Sequence, residues 1–336
     1  MRIAMILGVL LLAACSASQQ SQYHLVKSTP VAGEGGWDYV KVDKHSHHVY
    51  ITHTDKVDVL DADSGNVVGV IDGLHGVHEV SLAHDLGHGF ISNGKSDSVT
   101  VFDIKTLAKI AEVKTGKKPD SLAYEKTTKR LLAFNGESNN STVIDAVTNK
   151  NIGTIALGGA PEFAVSDHAG HVFVNLEDTD ETLLLDVASL KVLQRWKVAP
   201  GSEPSSLAMD RERHRLFIGC RNKLLVVMNA DNGQVITTLP IGDHVDATAF
   251  DKETHEVISS TGDGMLTVVA QDDADHYRIV QTIVTQKGSK TFGMDAETHK
   301  LFVPAADFAP AKVSKDNPKG RPNVVPGTFK VLIFER

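Results

Sequence analysis

From residue 23 onward, apolar residues arrive in short runs separated by polar turns, and the same run returns at a nearly constant interval. The pairs Val49-Tyr50, Gly89-Phe90, Leu131-Leu132, Val172-Phe173, Leu216-Phe217, Val257-Ile258 and Leu301-Phe302 open equivalent stretches spaced 40 to 44 residues apart, which makes seven copies. Each copy reads as a short apolar strand, a polar hairpin, a strand such as "VYIT" or "LFIG", a loop, a strand such as "VDVLD", "VTVFD" or "TLLLD", a turn, and a last strand that stops near glycine. The turns suit this reading, because Asp63-Ser64-Gly65-Asn66 and Asp231-Asn232-Gly233 supply positive φ at little steric cost. No stretch between strands keeps a helical period for long enough to build a βαβ array. A four-stranded unit cannot cover both of its own faces, whereas copies stacked around a ring cover one another. The predicted fold class is therefore all-β, a seven-bladed β-propeller with four-stranded antiparallel blades. The last copy runs out after its third strand, Phe329 to Phe334, and the strand-like "YHLVKSTPV" of Tyr23 to Val31 is expected to close that blade as its outer strand.

The copies "HVYITHTDKVDVLDADSGNVVGVI", "LLAFNGESNNSTVIDAVTNKNIGTI" and "LFIGCRNKLLVVMNADNGQVITTLPIG" resemble the YVTN-type repeat of YncE-like seven-bladed propellers, and the resemblance covers about residues 23 to 336. The tetrapeptide itself survives in altered form, as Tyr50-Ile51-Thr52-His53 and Phe173-Val174-Asn175. Other propeller repeats fit less well: there is no Trp-Asp ending, no paired-glycine kelch signature, and two tryptophans are too few for quinoprotein blades. The resemblance implies export and a seven-fold ring. It implies no shared reaction.

The opening residues are a different material. Arg2 precedes an apolar run from Ile3 to Leu12, too short to span a bilayer, and then Ala13-Ala14-Cys15. Leu12-Ala13-Ala14-Cys15 resembles a bacterial lipobox, in which signal peptidase II cuts before the cysteine and the thiol takes a diacylglyceryl group. The expected organisation is a lipoprotein signal peptide at residues 1–14, a flexible tether at residues 15–22 and the propeller at residues 23–336. Cys15 would carry a lipid anchor to a membrane, and Ser16 favours the outer membrane facing the periplasm. The other reading is an ordinary signal cleaved near Ala17, which releases a soluble periplasmic protein.

With 41% hydrophobic and 23% charged residues, the body has the composition of a chain that buries a core. A formal charge of −8 argues against general nucleic-acid binding, which draws its affinity from cations placed on phosphates. The two cysteines build no disulfide framework and no Cys-x-x-Cys pair; with Cys15 acylated, Cys220 is the one free thiol.

Candidate chemistry follows from the repeat register. Counting back from each apolar pair, the residue opening the innermost strand is Asp38, His78, Asp120, Glu162, Ser205, Asp246 or Lys290. Innermost strands line the axial channel, so these residues are expected at one mouth as a largely acidic ring. In one reading Asp38, Asp120, Glu162 and Asp246 converge on a divalent cation such as Ca2+ or on a cationic ligand group. In the other, each carboxylate accepts backbone N–H bonds and pins its loop. The loops after the second strands reach the same surface and carry His53, Asn93, Asn135, Asn175, Glu177, Cys220, Arg221, Asn222 and Asp307. A thiol beside a guanidinium, Cys220 with Arg221, would be reactive if exposed and inert if buried. In the last copy the stretch Ala306 to Gly327 holds four prolines and the cations Lys312, Lys315, Lys319 and Arg321, and is expected to lie beside the mouth. Most of the histidines fall in the hairpins at the opposite end, where His48, His88 and His171 share a slot with Arg130, Arg215 and Lys300 that is expected to face solvent. No nucleophile motif stands out, and no catalytic residue and no resident cofactor are assigned. The expected function is non-enzymatic binding of an unknown protein, peptide or small ligand at the axial surface. The alternative, by fold analogy, is a metal-dependent lactonase-like hydrolase using the axial carboxylates.

Overall fold

Each copy of the repeat folds as one four-stranded antiparallel sheet, and seven such sheets stand in a ring among the described residues. The computed structural model describes residues 22–310 and 322–336. The expected signal segment, Cys15 and nearly all of the expected tether lie outside the described residues, as do Lys312, Lys315, Lys319 and Arg321.

The innermost strands are Trp37–Asp43, Val77–Ala83, Pro119–Glu125, Pro161–Ser166, Pro204–Asp210, Val245–Asp251 and the short Gly293–Met294. Burial follows position in the blade. In the first blade the second strand, His48–His53, is buried at every residue but its first, whereas the fourth, Val67–Ile71, is largely exposed. Middle strands are covered on both faces by neighbouring blades, so they read as continuous apolar runs. The apolar pairs that mark the repeat lie in this layer: Tyr50, Phe90, Phe217 and Phe302 are fully buried. Each hydrophobic sector draws on adjacent blades; Val49, Ile51 and Leu60 of the first blade pack with Phe302, Val331 and Ile333 of the last. Replacing a ring such as Phe302 by alanine in such a sector costs about 3–5 kcal/mol. Gly89 holds its place because a Cβ there would meet Phe102 Cζ at 2.1 Å. Gly65 and Gly233 adopt φ of 67° and 71° in the two turns for which the sequence predicts it.

The ring closes as expected. The last sheet runs, from outside to axis, His24–Pro30, Lys330–Glu335, Leu301–Ala305 and Gly293–Met294, with Ser28 opposite Leu332 and Thr29 opposite Val331. Tyr23 extends the closure into the sixth blade: Gln281 Nε2 donates to its carbonyl at 2.7 Å, and its own N–H donates to Gln281 Oε1 at 2.9 Å. Arg336, the last residue, lies over the Tyr23 ring at 4.6 Å. Deleting residues 23–31 is expected to lower the melting temperature by roughly 10 °C or more and to promote aggregation through the bared edge. Deleting residues 16–21 should leave the melt unchanged, which differential scanning calorimetry would check.

Candidate functional site at the acidic axial mouth

The residues predicted to ring the mouth occupy one structural position. In six blades the pairing of the first two strands skips just after the first strand begins, between Trp37 and Val40, Val77 and Val80, Pro119 and Leu122, Pro161 and Ala164, Pro204 and Ser206, and Val245 and Ala247. Asp38, His78, Asp120, Glu162, Ser205 and Asp246 lie in these irregularities. A bulge turns its side chains away from the regular alternation, here toward the axis. The backbone of the bulges is held from neighbouring blades. Thr52 Oγ1 donates to the His78 carbonyl at 2.9 Å, Ser92 Oγ to that of Asp120 at 2.6 Å, and Ser260 Oγ to that of Lys290. Thr291 Oγ1 completes the circuit on the Asp38 carbonyl at 2.8 Å.

At the mouth these side chains meet as alternating charges. Lys290 Nζ pairs with Asp246 and lies 3.7 Å from Asp38. His78 Nδ1 is 2.7 Å from Asp38 and 3.5 Å from Asp120. Arg221 pairs with Glu177 and lies 3.7 Å from Glu162. Burial alone would raise the Asp38 carboxyl, but Lys290 and His78 outweigh it and hold it below its usual range. Burial disfavours a charged imidazole at His78, yet Asp38 and Asp120 raise its pKa above the ordinary value. Burial pushes Asp120 up to about 6 despite His78. It pushes Glu162 up to about 10, with Glu177 and Asp120 adding to the shift. Asp246 is also raised, by burial that Lys290 offsets in part. Asp120 Oδ1 is buried without a hydrogen-bond partner among the described residues.

Not every candidate joins this group. Ser205 is fully buried and donates to the Glu203 carbonyl at 3.1 Å, so it contributes no group to the mouth. His53, Asn93, Asn135 and Asn175 are buried fasteners inside the blades: His53 Nδ1 meets Asp58 at 2.9 Å, Asn93 and Asn135 each donate to a threonine at 3.0 Å, and Asn175 binds the Ser206 carbonyl at 3.0 Å. Cys220 is fully buried, and burial raises its thiol to about 12, which makes it an inert core residue. Asn222 accepts from the Ser202 N–H at 3.1 Å and Asp307 from Gln286 at 2.8 Å; both secure loops. The described base of the proline-rich excursion rests on the first blade beside the mouth, with Phe308 6.0 Å from the Trp37 ring and bridged to Val324.

A set of carboxylates at the other end of the innermost strands accepts backbone N–H bonds from the hairpins. Asp43, Glu125, Asp210, Asp251 and Asp295 are buried, and each accepts a backbone N–H of its hairpin at about 3 Å. The next blade often adds a bond: His84 to Asp43 at 2.8 Å, Gln271 to Asp210 at 3.0 Å, His299 to Asp251 at 2.6 Å. The His88 slot, expected to face solvent, also reaches the following blade. His88 Nδ1 lies 3.1 Å from the Ala146 carbonyl, Arg130 donates to the Ala188 carbonyl at 2.9 Å, and Arg215 to Asp275 at 2.8 Å. Polar side chains at the rim stay useful there because a long side chain can span to the adjacent blade.

The sequence reading passed over Tyr39 and Phe163. They follow Asp38 and Glu162, in the first and fourth blades, and their rings meet edge to face across the axis with centroids 5.1 Å apart. They divide the channel into an acidic mouth and an opposite vestibule. The signal was present: after the ring residues stand Tyr39, Glu79, Ser121, Phe163, Ser206, Ala247 and Thr291, of which two are aromatic.

The molecule is thus a seven-bladed β-propeller with a septum across its channel and a carboxylate-rich mouth. The model of the cytochrome D1 heme domain family matches residues 43–308, and the chain belongs to that family. Comparison with curated protein sequences gave no match. Among solved structures, a chain from "Crystal Structure of Mitotic Checkpoint Complex" superposes with a TM-score of 0.76 at 14% identity, over 100% of this chain and 99% of that one. A chain of Kuenenia stuttgartiensis hydrazine synthase does so with a TM-score of 0.70 at 15% identity, over 88% and 97%. Such identities establish the fold alone.

The family description raises the question of a haem, which needs an iron donor such as a free imidazole set in an apolar slot. At the mouth His78 is held between two carboxylates, and the wall would repel the carboxylates of a haem. In the vestibule the wall is largely apolar, and His45, His84 and His168 stand at its exposed rim, with His84 Nε2 on Asp43. Met294 lines the vestibule and is partly buried against the core of the last blades. The residues present do not fit a haem at either end. Hemin added to the purified protein is expected to give no shifted Soret band of ligated iron; a sharp shifted band would overturn this.

Glu162 makes a second expectation measurable. Its folded pKa is raised, so the stability it contributes is complete below its unfolded value near 4.5 and is lost progressively as pH rises toward about 10. The limiting slope for one such group is about 1.4 kcal/mol per pH unit. Glu162→Gln should flatten the decline in chemical-denaturation stability between pH 5 and 9, measured by urea titration at about one-unit pH steps.

Proposed function

We propose that this protein is an exported, lipid-anchored propeller of the YncE-like kind that binds, without catalysis, a cationic group of a peptide, protein or small ligand at its acidic mouth. One observation carries the reading: a carboxylate oxygen of the mouth, Asp120 Oδ1, is buried with its hydrogen-bonding capacity unused. On one side of the mouth the Lys290 ammonium bridges Asp246 and Asp38. On the other side Asp120 Oδ1 is buried without a hydrogen-bond partner among the described residues, the nearest cationic group being the His78 imidazole at 3.5 Å, and Glu162 has Arg221 at 3.7 Å. A ligand ammonium or guanidinium placed between Asp120 and Glu162 would repeat the arrangement that Lys290 makes internally, and its charge would favour the ionised form of both.

Export and anchoring rest on the lipobox-like Leu12-Ala13-Ala14-Cys15. The topology supports them. The outer strand starts at His24 opposite Glu335, at the hairpin end of the perimeter, so a tether leaving there keeps the acidic mouth free. In this reading Ser16, next to the lipidated cysteine, directs the protein to the outer membrane, on its periplasmic side.

A second reading has one specific support. Asp38, His78 and Asp120 offer donor atoms that all lie within 4.8 Å of one another, a set able to hold a divalent cation if the Asp38–His78 pair opens. The metal-dependent hydrolase would start from this set.

Calorimetric titration with a hexa-arginine peptide tests the leading reading. Affinity should rise between pH 5 and 7.5 as Asp120, at about 6, ionises. The double variant Asp120→Asn, Glu162→Gln should weaken binding by about tenfold or more and remove the pH dependence. Unchanged affinity in that variant would sink the proposal. Binding of Ca2+ or Mn2+ lost in Asp38→Asn would favour the metal reading instead.

A further inference from the structure

Beyond the septum the channel opens again into a vestibule of about 500 Å3 at the hairpin end of the ring. That volume lies within the range of small-molecule pockets, roughly 300–1,000 Å3. Tyr39 and Phe163 form its roof, and Val42, Leu82, Leu122 and Val165 are among the apolar residues of a wall that also carries Ser81, Ser166 and Thr248. The polar groups are placed unevenly. Deep inside stands one carboxyl, Glu79, whose Oε2 accepts the Leu122 N–H at 2.7 Å. At the rim stand Lys41, Lys126 and Arg211. Arg211 donates only to a carbonyl, that of Ser166, at 2.6 and 2.9 Å. Among the described residues no carboxylate pairs with any of these three cations. Of the nearby carboxylates, Asp85 is engaged by the Tyr124 hydroxyl at 3.0 Å, and Asp167, close enough to act on Arg211, by His171 at 2.8 Å.

An apolar chamber beneath unpaired cations is the reverse of the mouth at the other end of the axis. We propose that this vestibule is a second, separate binding site, for a small amphipathic organic anion: an apolar, ring-sized body inside the chamber and a carboxylate or sulfonate at Lys41, Lys126 and Arg211. The wall supplies the hydrophobic contribution and the rim fixes orientation, the usual division of labour in such pockets. Burial raises Glu79 to about 7, so at neutral pH it carries only about half a negative charge against three rim cations. The Glu79 carboxyl also gives the deep end a hydrogen-bonding group that distinguishes ligands with a polar far end from purely hydrocarbon ones.

Two fluorescent dyes test this on the purified protein: anilinonaphthalene sulfonate, which is anionic, and phenylnaphthylamine, an uncharged relative. The sulfonate should saturate at one equivalent per chain. The exposed-rim double variant K126E/R211E should weaken it by about tenfold or more while changing the uncharged dye by no more than about twofold. Because both residues are exposed at the rim, a thermal melt matching the parent would confirm that the fold is retained. The mouth variant Asp120→Asn, Glu162→Gln should bind both dyes as the parent does, so failure here is distinct from failure at the mouth. Absence of saturable dye binding, equal weakening of both dyes in K126E/R211E, or loss of the sulfonate in the mouth variant would each overturn the proposal.

Discussion

The pairing of His24–Pro30 with Lys330–Glu335 is the constraint on which the rest depends. Seven sheets that each need a neighbour on both faces form a stable object only when the first meets the last. Here that meeting joins residues about three hundred positions apart in sequence, and so it is made late in terms of chain entropy. Once made, it fixes the circumference, and the circumference fixes how near the innermost strands approach. The charge network at the mouth follows: Thr291 of the last blade can hold the Asp38 carbonyl of the first only in a closed ring.

The site is a local exception set within a regular scaffold. Bulges carry the ring residues off the sheet alternation, and hydroxyls one blade away hold the bulged backbone in place. This division explains why so many polar residues near the mouth are buried. Thr52, Ser92 and Ser260 face carbonyls and not solvent, and their role is to make the bulge rigid enough for charged side chains to sit within ion-pair distance. Rigidity of this sort keeps like charges together that would separate on flexible loops.

The fold was legible because the repeat writes the same arrangement seven times, so errors in any one copy are outvoted by the others. The closing strand was legible from a deficit, a last copy with one strand too few. Convergence of Asp38, His78, Asp120, Glu162, Asp246 and Lys290 was legible too, because register alone places equivalent residues around an axis. What register does not give is direction. His53, Asn93 and Asn135 sit next to the mouth in sequence, yet they point into the blade, where a partner seven or fewer residues ahead waits on the adjacent strand. The choice between binding a ligand and pinning a loop was likewise beyond the sequence. Asp43 and Asp38 are both aspartates of one strand, and only the geometry shows that Asp43 is the one bonded to backbone N–H groups. The septum escaped because it is made by two copies out of seven, and averaging over a repeat hides what only two members do.

Because Tyr39 and Phe163 touch across the centre, the ring is not a conduit. Aromatic carbon lies between one opening where carboxylates and cations alternate and another fringed by Lys41, Lys126 and Arg211. The two openings are therefore chemically unlike, and a ligand suited to one is not suited to the other.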